Sequence, residues 1–146
     1  MFSDKITVKV LRPADVRPKV VDDINYLLKH QHGKARGTTR ESLTEHMRSS
    51  RVVVALHDDV FVVGMGVLVR THCVSHTFAG IHNLIVRDGY DPSIIGMRIV
   101  GILIEGVYDA EFIEAGMWLQ TDDMVSVLLA LGFRERPKFR YRLKLR

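Results

Sequence analysis

The sequence predicts a mixed α/β (α+β) fold, organised as one domain over residues 1–146. In several short segments apolar residues alternate with polar ones, which is the period of a strand with one buried face. Between these segments apolar residues recur every three or four positions, which is the period of a helix. No repeat, low-complexity tract or linker divides the chain, and its 146 residues, 47% of them hydrophobic, are enough for one core.

The chain is predicted to begin with a strand and a helix. Residues 5–12 alternate and stop before a proline, whereas residues 15–31 place their apolar side chains at helical spacing. Residues 33–37, "GKARG", follow as a basic loop bracketed by two glycines, and we expect this loop to be mobile.

The next segments predict a second helix and a hairpin. Either Thr38 or Thr39 can cap a helix over residues 40–50, because a threonine hydroxyl accepts a hydrogen bond from a free backbone N–H of the first turn. Residues 51–70 then form two apolar strands around the turn at Asp58 and Asp59.

A third strand and a buried helix are predicted next. Residues 78–87 continue the strand pattern, and residues 93–109 are apolar nearly all round, as in a helix that is largely buried. Each glycine inside a helix costs up to about 1 kcal/mol relative to alanine, so close approach of a neighbour is the expected compensation, at least near the helix start. The glycines concerned are Gly96, Gly101 and Gly106.

The C-terminal part is predicted to contain a short strand at residues 116–120, a helix at 122–131 that ends at Gly132, and a final strand. Residues 134–146 hold seven of the 21 Lys and Arg residues but one of the 17 acidic residues. In this tail cations alternate with apolar residues, which favours a solvated strand over a surface for nucleic acid. The alternating cations are Lys138, Arg140, Arg142 and Lys144.

Composition excludes several other classes of protein. No apolar run approaches the roughly 18 to 20 residues that cross a bilayer, and no signal peptide is recognised at the N-terminus, so we expect a cytoplasmic protein without a membrane partner. The single cysteine, Cys73, excludes an internal disulfide framework. His72, Cys73 and His76 match no common zinc spacing, and we expect no metal site.

Residues 86–100, "VRDGYDPSIIGMRIV", predict a strand, a turn and the start of a helix. This arrangement binds phosphate in many proteins, because the first backbone N–H groups of a helix have no partner within it. Here, however, Asp91 adds a negative charge and Pro92 removes a donor at the expected position of the anion.

The predicted order of elements and two motifs resemble the GCN5-related N-acetyltransferase (GNAT) superfamily over essentially the whole chain. In that family a strand of the type l-V-V precedes a turn written y-R-G-x-G-x-G, and a late helix ends in L-Y-x-K-x-G-F. Residues 84–100 lie on the first pattern without a gap, and "VLLALGF" lies on the second. The resemblance implies a central sheet of about six to seven strands that splays apart at one parallel pair, with about four flanking helices.

The resemblance implies acetyl-CoA as the acyl donor. Tyr90 and Gly96 match the turn of the family, whereas its arginine and two of its glycines fall on Asp91, Pro92 and Ile94. These departures predict weak CoA binding. The cofactor-binding residues carried over from the family are Leu84, Ile85, Val86, Asp91, Ser93, Ile94, Ile95, Gly96 and Met97.

The catalytic residue that the resemblance implies is His82. It lies four residues before Val86, where family members often carry the group that takes a proton from the acceptor amine. The alternative is a strand histidine with a satisfied hydrogen bond. The tyrosine that in many members protonates the leaving thiolate falls on Leu128, which cannot donate a proton.

Two functions are therefore expected. The first is transfer of an acetyl group from acetyl-CoA to an amine by direct attack, the acceptor being a small molecule or a protein, neutral or anionic rather than polycationic. The second is a GNAT-fold binding or structural protein that has lost this chemistry. The degenerate turn resembles that of small bacteriophage-encoded members, whose location would be the host cytoplasm or the virion. Self-association is compatible with the sequence, and nucleic acid is not an expected partner.

Overall fold

A computed structural model describes residues 5–32, 37–72, 74, 77–107, 110, 112–116, 122–136 and 140–144. Within these ranges the chain forms seven strands and four helices, which confirms the mixed α/β fold class. The elements are β1 (Ile6–Val10), α1 (Pro18–His32), α2 (Arg40–His46), β2 (Ser50–His57), β3 (Phe61–His72), β4 (Thr77–Val86), α3 (Pro92–Ile104), β5 (Phe112–Gly116), α4 (Asp122–Ala130), β6 (Arg134–Arg136) and β7 (Arg140–Lys144).

All seven strands belong to one sheet in the order β1-β2-β3-β4-β5-β7-β6. Neighbouring strands are antiparallel except β4 and β5, which are parallel. A parallel pair needs a crossover connection, and α3 supplies it. The predicted splayed parallel pair is therefore present at the centre of the sheet.

Helices cover both faces of the sheet, and each face has its own apolar cluster. On one face α1 and α2 pack on β2 and β3, with Ile24, Leu27 and Leu43 among the buried side chains. On the other face α3 and α4 contribute Ile99 and Leu128, among others, to the larger cluster. The central strands are accordingly apolar on both faces, as expected for a covered sheet.

Helix α3 crosses β3 at two glycines. An added Cβ at Gly66 would lie 2.8 Å from Leu103 Cδ1 and 2.9 Å from Ile99 Cγ2, and one at Gly64 would lie 3.1 Å from Ile99 Cδ1. The far end of α3 is fixed by Arg51 of β2. Its guanidinium donates to the carbonyl oxygens of Ile102, Leu103 and Glu105 at the end of α3, at 2.6 to 3.2 Å.

Helix α1 is fixed to β3, on the other face of the sheet, by a buried carboxylate. Asp23 is 6% exposed, and it accepts a hydrogen bond from the backbone N–H of Val62 at 3.1 Å. Lys19 lies one turn earlier on α1 and donates to the same carboxylate at 3.0 Å. A buried charge is stable only when it is paired in this way.

Local sequence signals predicted several features correctly. The hydroxyl of Thr39 accepts from Ser42 N at 3.1 Å at the start of α2. Asp58 and Asp59 both have positive φ in the β2–β3 turn. Gly132 ends α4 with φ +96°, and Phe133 N donates to Leu128 O while Gly132 N donates to Leu129 O, which is a Schellman motif.

Other boundaries differ from the prediction. Helix α1 begins at Pro18 rather than residue 15, since the residue before a proline avoids the helical region. Helix α3 ends at Ile104, because Gly106 adopts φ +73°. The strand expected to begin at residue 116 begins by Phe112, and residues 117–120 of that prediction lie outside the described ranges. The tail forms two paired strands instead of one.

Some expectations concern residues outside the described ranges. They include the mobility of residues 33–36 of the basic loop and residues 117–120 of the strand expected at 116–120. Cys73 and His76, which were compared with zinc spacings, also lie outside these ranges. Arg140, Arg142 and Lys144 lie on β7, but their side chains, like Lys138, are outside what the structure describes. No helix within the described ranges is long and apolar enough to cross a membrane.

The helix crossing predicts opposite effects for two glycine substitutions. Gly66→Ala should lower the free energy of unfolding by about 1 to 3 kcal/mol, because the new methyl group overpacks the contact between β3 and α3. The matched control is Gly101→Ala on the same helix, where an added Cβ meets nothing within 4 Å. It should raise stability by about 0.5 to 1 kcal/mol. Urea unfolding midpoints measure both, and equal effects would contradict the proposed crossing contact.

Candidate active site at the β4–β5 separation

The described pairing of β4 with β5 covers three residues on each strand. Ala79, Gly80 and Ile81 of β4 face residues 113–115 of β5, and residues 117–121, which follow β5, lie outside the described ranges. On its other side β4 is paired with β3 as far as Val86. The end of β4, from Leu84 to Val86, lines a cleft.

A β-bulge lies where the two strands separate. Met65 of β3 faces Ile85, but Val67 faces His82, so that β4 contains one residue more than β3 across this interval. Asn83 adopts φ +52°, a left-handed conformation that asparagine tolerates better than most residues. A bulge increases the local twist and changes the direction of the side chains that follow it.

A cleft of about 450 Å³ lies beside the end of β4. Its walls come from the end of β4, from the turn between β4 and α3, from α1 and from the start of α4. The lining residues are Tyr26, Leu27, His30, Leu84, Ile85, Val86, Arg87, Asp88, Gly89, Tyr90, Pro92, Asp123 and Met124.

The structure brings some of the predicted cofactor residues to this cleft and places others elsewhere. Leu84, Ile85 and Val86 line it. Leu84 and Ile85 pack on opposite faces of the sheet, because successive side chains alternate along a strand. The remaining predicted residues belong to α3 or its cap and are not part of the lining; they are Asp91, Ser93, Ile94, Ile95, Gly96 and Met97.

The side chain of Asp91 occupies the N-terminus of α3. Its carboxylate Oδ1 accepts hydrogen bonds from Ser93 N at 2.9 Å and from Ile94 N at 3.2 Å. Pro92, the first residue of the helix, has no N–H to offer. The donors that would hold a diphosphate are therefore already bonded to a negative side chain, and this helix end does not fit the diphosphate of CoA.

Gly96 is a packing residue. It is buried, and an added Cβ would lie 2.9 Å from the sulfur of Met124 on α4. Met124 itself lines the cleft. Gly96 therefore lets α3 and α4 approach each other, which supports the cleft wall indirectly.

His82 is the first residue of β4 beyond the parallel ladder. It is exposed and does not belong to the cleft lining itself. Its ring folds back over Gly80, where an added Cβ would lie 3.0 Å from Nε2. Within the described part of the chain the imidazole has no hydrogen-bond partner, so the alternative of a satisfied strand histidine finds no support there.

The pKa of His82 is lowered from its ordinary value of 6.5. The first cause is that neighbouring protein atoms exclude water from part of the ring, which disfavours the charged form. The second is the positive charge of His46 at the end of α2. A neutral imidazole at neutral pH can accept a proton, as a general base must.

Arg87 is a charged residue of the cleft that sequence reasoning did not single out. Its guanidinium carbon lies 3.9 Å from the ring centroid of Tyr26 and 4.6 Å from that of Phe61. The only sequence signal was an arginine directly after an apolar strand. Tyr26 precedes Arg87 by 61 positions and Phe61 precedes it by 26, so no local sequence pattern could reveal these contacts.

Tyr90 anchors the turn on which the cleft depends. Its hydroxyl lies 2.8 Å from Nδ1 of His57, and the two rings meet edge to face. His57 in turn lies 3.7 Å from the carboxylate of Asp58. Tyr90 matched the family turn in sequence, and its position indicates a structural reason for a tyrosine there.

The structure also bears on a general acid and on a metal site. Leu128 is fully buried in the core, so this position supplies no acid. Within the described residues no group of three or more His, Cys, Asp or Glu side chains could hold a metal ion.

Comparisons with known proteins identify the fold. No protein-family model matches the sequence, and a search of curated proteins found no match. Among solved structures, an acetyltransferase of Trypanosoma brucei is similar with a TM-score of 0.70 and 17% identity, covering 91% of this chain and 95% of that one. These matches lend no support to the expected bacteriophage origin.

Two further solved structures show the same similarity. A chain of the NatC complex bound to Gag peptide and CoA matches with a TM-score of 0.77 and 14% identity, covering 97% of this chain and 99% of that one. A GNAT-family acetyltransferase of Staphylococcus aureus Mu50 matches with a TM-score of 0.70 and 14% identity, over 96% and 100% of the two chains. Together with the splayed pair of β4 and β5, these similarities show that the chain has the fold of the GCN5-related N-acetyltransferases.

Proposed function

We propose that the protein is an N-acetyltransferase that takes its acetyl group from a pantetheine thioester, such as acetyl-CoA, and transfers it to an amine. The observation that carries this proposal is the 450 Å³ cleft beside the parallel pair of β4 and β5, which the end of β4 lines with Leu84, Ile85 and Val86. The NatC complex, one of the similar structures, is bound to CoA, which supports this class of donor.

The residues Leu84, Ile85 and Val86 would hold the pantetheine arm. Pantetheine contains two amide groups in an extended chain, so it can hydrogen-bond to backbone groups at the end of a strand much as a peptide does. This recognition uses backbone groups and requires no particular side chains. It therefore explains how a site can persist although the neighbouring turn has changed.

His82 would act as the general base. The thioester supplies an activated carbonyl carbon, to which the amine nitrogen bonds while the carbon–sulfur bond breaks. His82 accepts the proton that the amine loses, either directly or through one water molecule. Since Leu128 provides no acid, the leaving thiolate takes its proton from water. No covalent intermediate with the chain is needed.

The acceptor would approach from the side of α2, where His46 and His82 lie. Two exposed histidines on this side suit a neutral or anionic acceptor. The sequence-based expectation of a small-molecule or protein amine is kept in this proposal. The free amine form is required, because an ammonium group has no lone pair for attack.

Replacement of His82 tests the base. His82→Gln should lower kcat/KM by about 10²- to 10⁴-fold while leaving donor binding unchanged, because only proton transfer is lost. The measurement is release of free thiol from acetyl-pantetheine or acetyl-CoA with a panel of primary amines. Unaltered turnover in His82→Gln would remove the histidine from the mechanism without affecting the donor site.

The lowered pKa of His82 makes a prediction about pH. The neutral imidazole is the active form, so the acid limb of kcat/KM should have its midpoint below the ordinary value of 6.5. His46→Gln removes a positive charge and should shift this midpoint upward. The shift should be partial, because exclusion of water is the larger cause. The same limb should be absent from the residual rate of His82→Gln.

Asp91 predicts a change in donor affinity. Asp91→Ser keeps a capping hydroxyl but removes the negative charge and frees one of the two helix donors, so the Kd of acetyl-CoA should fall by about tenfold. The matched control is Asp88→Asn, which removes one charge from the cleft without affecting the helix cap, and should change the Kd by less than about threefold. Isothermal titration calorimetry measures both.

The outcome for donor binding also decides the second sequence-based expectation. If no pantetheine compound binds to the wild-type protein or to Asp91→Ser at millimolar concentration, the proposed transferase is wrong. The GNAT-fold binding or structural protein would then be the better interpretation.

A further inference from the structure

We propose that Arg87 binds the phosphate adjoining the pantetheine arm, in place of the N-terminus of α3. This inference rests on the proposed function, because it concerns the donor of the same cleft. It assigns the anion to the part of the cleft where Arg87 contacts Tyr26 of α1, and not to the helix end that the sequence pattern suggested. The ligand class is a 4′-phosphopantetheine thioester, which includes CoA.

The position of Arg87 along the chain suits this role. It directly follows Val86, the last residue of β4, and its backbone N–H donates to Val63 O at 2.7 Å. The pantetheine arm would lie along residues 84–86, and the phosphate is the next group after the arm. Arg87 lines the cleft at this point.

Aromatic rings hold the guanidinium in place. Tyr26 and Phe61 lie on Arg87 at 3.9 and 4.6 Å from their ring centroids. Tyr26 is itself stacked on His30 at 3.8 Å, and Phe61 also contacts the ammonium of Lys19 at 4.7 Å. Such contacts favour a cation and restrict the rotamers of a long side chain, so less conformational entropy is lost when an anion binds.

The charge of Arg87 is not neutralised by an ion pair in the described part of the chain. The neighbouring cation Lys19 is paired with Asp23 at 3.0 Å, and Lys9 with Asp15 at 3.7 Å, but Arg87 forms no such pair. Asp88 and Asp123 also line the cleft and reduce its positive potential. Among the described residues of the lining, Arg87 is the one arginine or lysine, and its planar guanidinium can bind a phosphate through two N–H groups.

The bonds of Asp91 explain why the phosphate would use Arg87. The first donors of α3 are satisfied by the Asp91 carboxylate, and a phosphate there would have to displace it. Arg87 has no comparable competitor in the described residues. The second phosphate of CoA, further along the donor, would then gain little from the protein, and CoA would bind about as tightly as free 4′-phosphopantetheine.

Titration calorimetry with pantetheine, 4′-phosphopantetheine and CoA tests this inference. For the wild-type protein the single phosphate should tighten binding at least about tenfold over pantetheine, and CoA should match 4′-phosphopantetheine within about threefold. Arg87→Gln should abolish the advantage of the phosphate while leaving pantetheine binding unchanged. Arg98→Gln, which removes the same charge from the exposed side of α3, should keep the full advantage.

Arg87→Lys separates charge from shape. It retains the positive charge but loses the planar group, so it should keep only part of the phosphate advantage. Thermal unfolding of each variant without ligand shows whether the fold is intact. If Arg87→Gln does not fold, the role of Arg87 is still tested by the affinities of the three ligands for the wild-type protein and for Arg87→Lys.

The possible outcomes distinguish this inference from the function on which it rests. Equal affinities of pantetheine and 4′-phosphopantetheine, or an advantage that survives Arg87→Gln, would overturn the role of Arg87 and leave the transferase intact. Tenfold tighter binding of CoA than of 4′-phosphopantetheine, with a still larger difference in Asp91→Ala, would return the anion to α3. Failure of all three compounds to bind would overturn both proposals.

Discussion

The cleft depends on the parallel pair of β4 and β5 in the described sheet, because the end of β4 lines it. A parallel pair needs a crossover connection, and α3, which supplies it, places its first residue, Pro92, in the cleft lining. The rest of the structure holds the other walls of this cleft in place. Asp23 fixes α1 as one wall, and the contact of Gly96 with Met124 fixes α3 and α4 as the other.

Each end of α3 is bonded to a side chain of opposite charge. A helix carries partial positive charge at its N-terminus and partial negative charge at its C-terminus. Arg51 satisfies the C-terminal carbonyl groups, and Asp91 satisfies the N-terminal N–H groups. From sequence, Asp91 was interpreted only as a repulsion against phosphate. The structure adds that its carboxylate takes the place that an anionic ligand would have, using the same hydrogen bonds.

The sequence predicted best what depends on near neighbours. The cap at Thr39, the Asp58–Asp59 turn and the helix end at Gly132 each need contacts within about five residues, and each was found where predicted. The start of strand β5 was predicted too late in the chain, because the pairing of this strand with β4 and β7 is set by residues distant in sequence. For the same reason the aromatic contacts of Arg87 and the packing role of Gly96 could not be predicted. His82 was predicted from its position in a family pattern, but its relation to His46 required the fold.

The bulge at Asn83 separates the length of β4 from its apolar pattern. In a regular strand, one inserted residue would exchange the two faces for every position that follows. Here Ile81 and Leu84 pack in the same cluster although they are three apart, because Asn83 absorbs the extra residue in a left-handed conformation. A chain lacking only this residue would keep its apolar side chains on the same faces. The length of β4 can therefore change by a single codon without any change in the core.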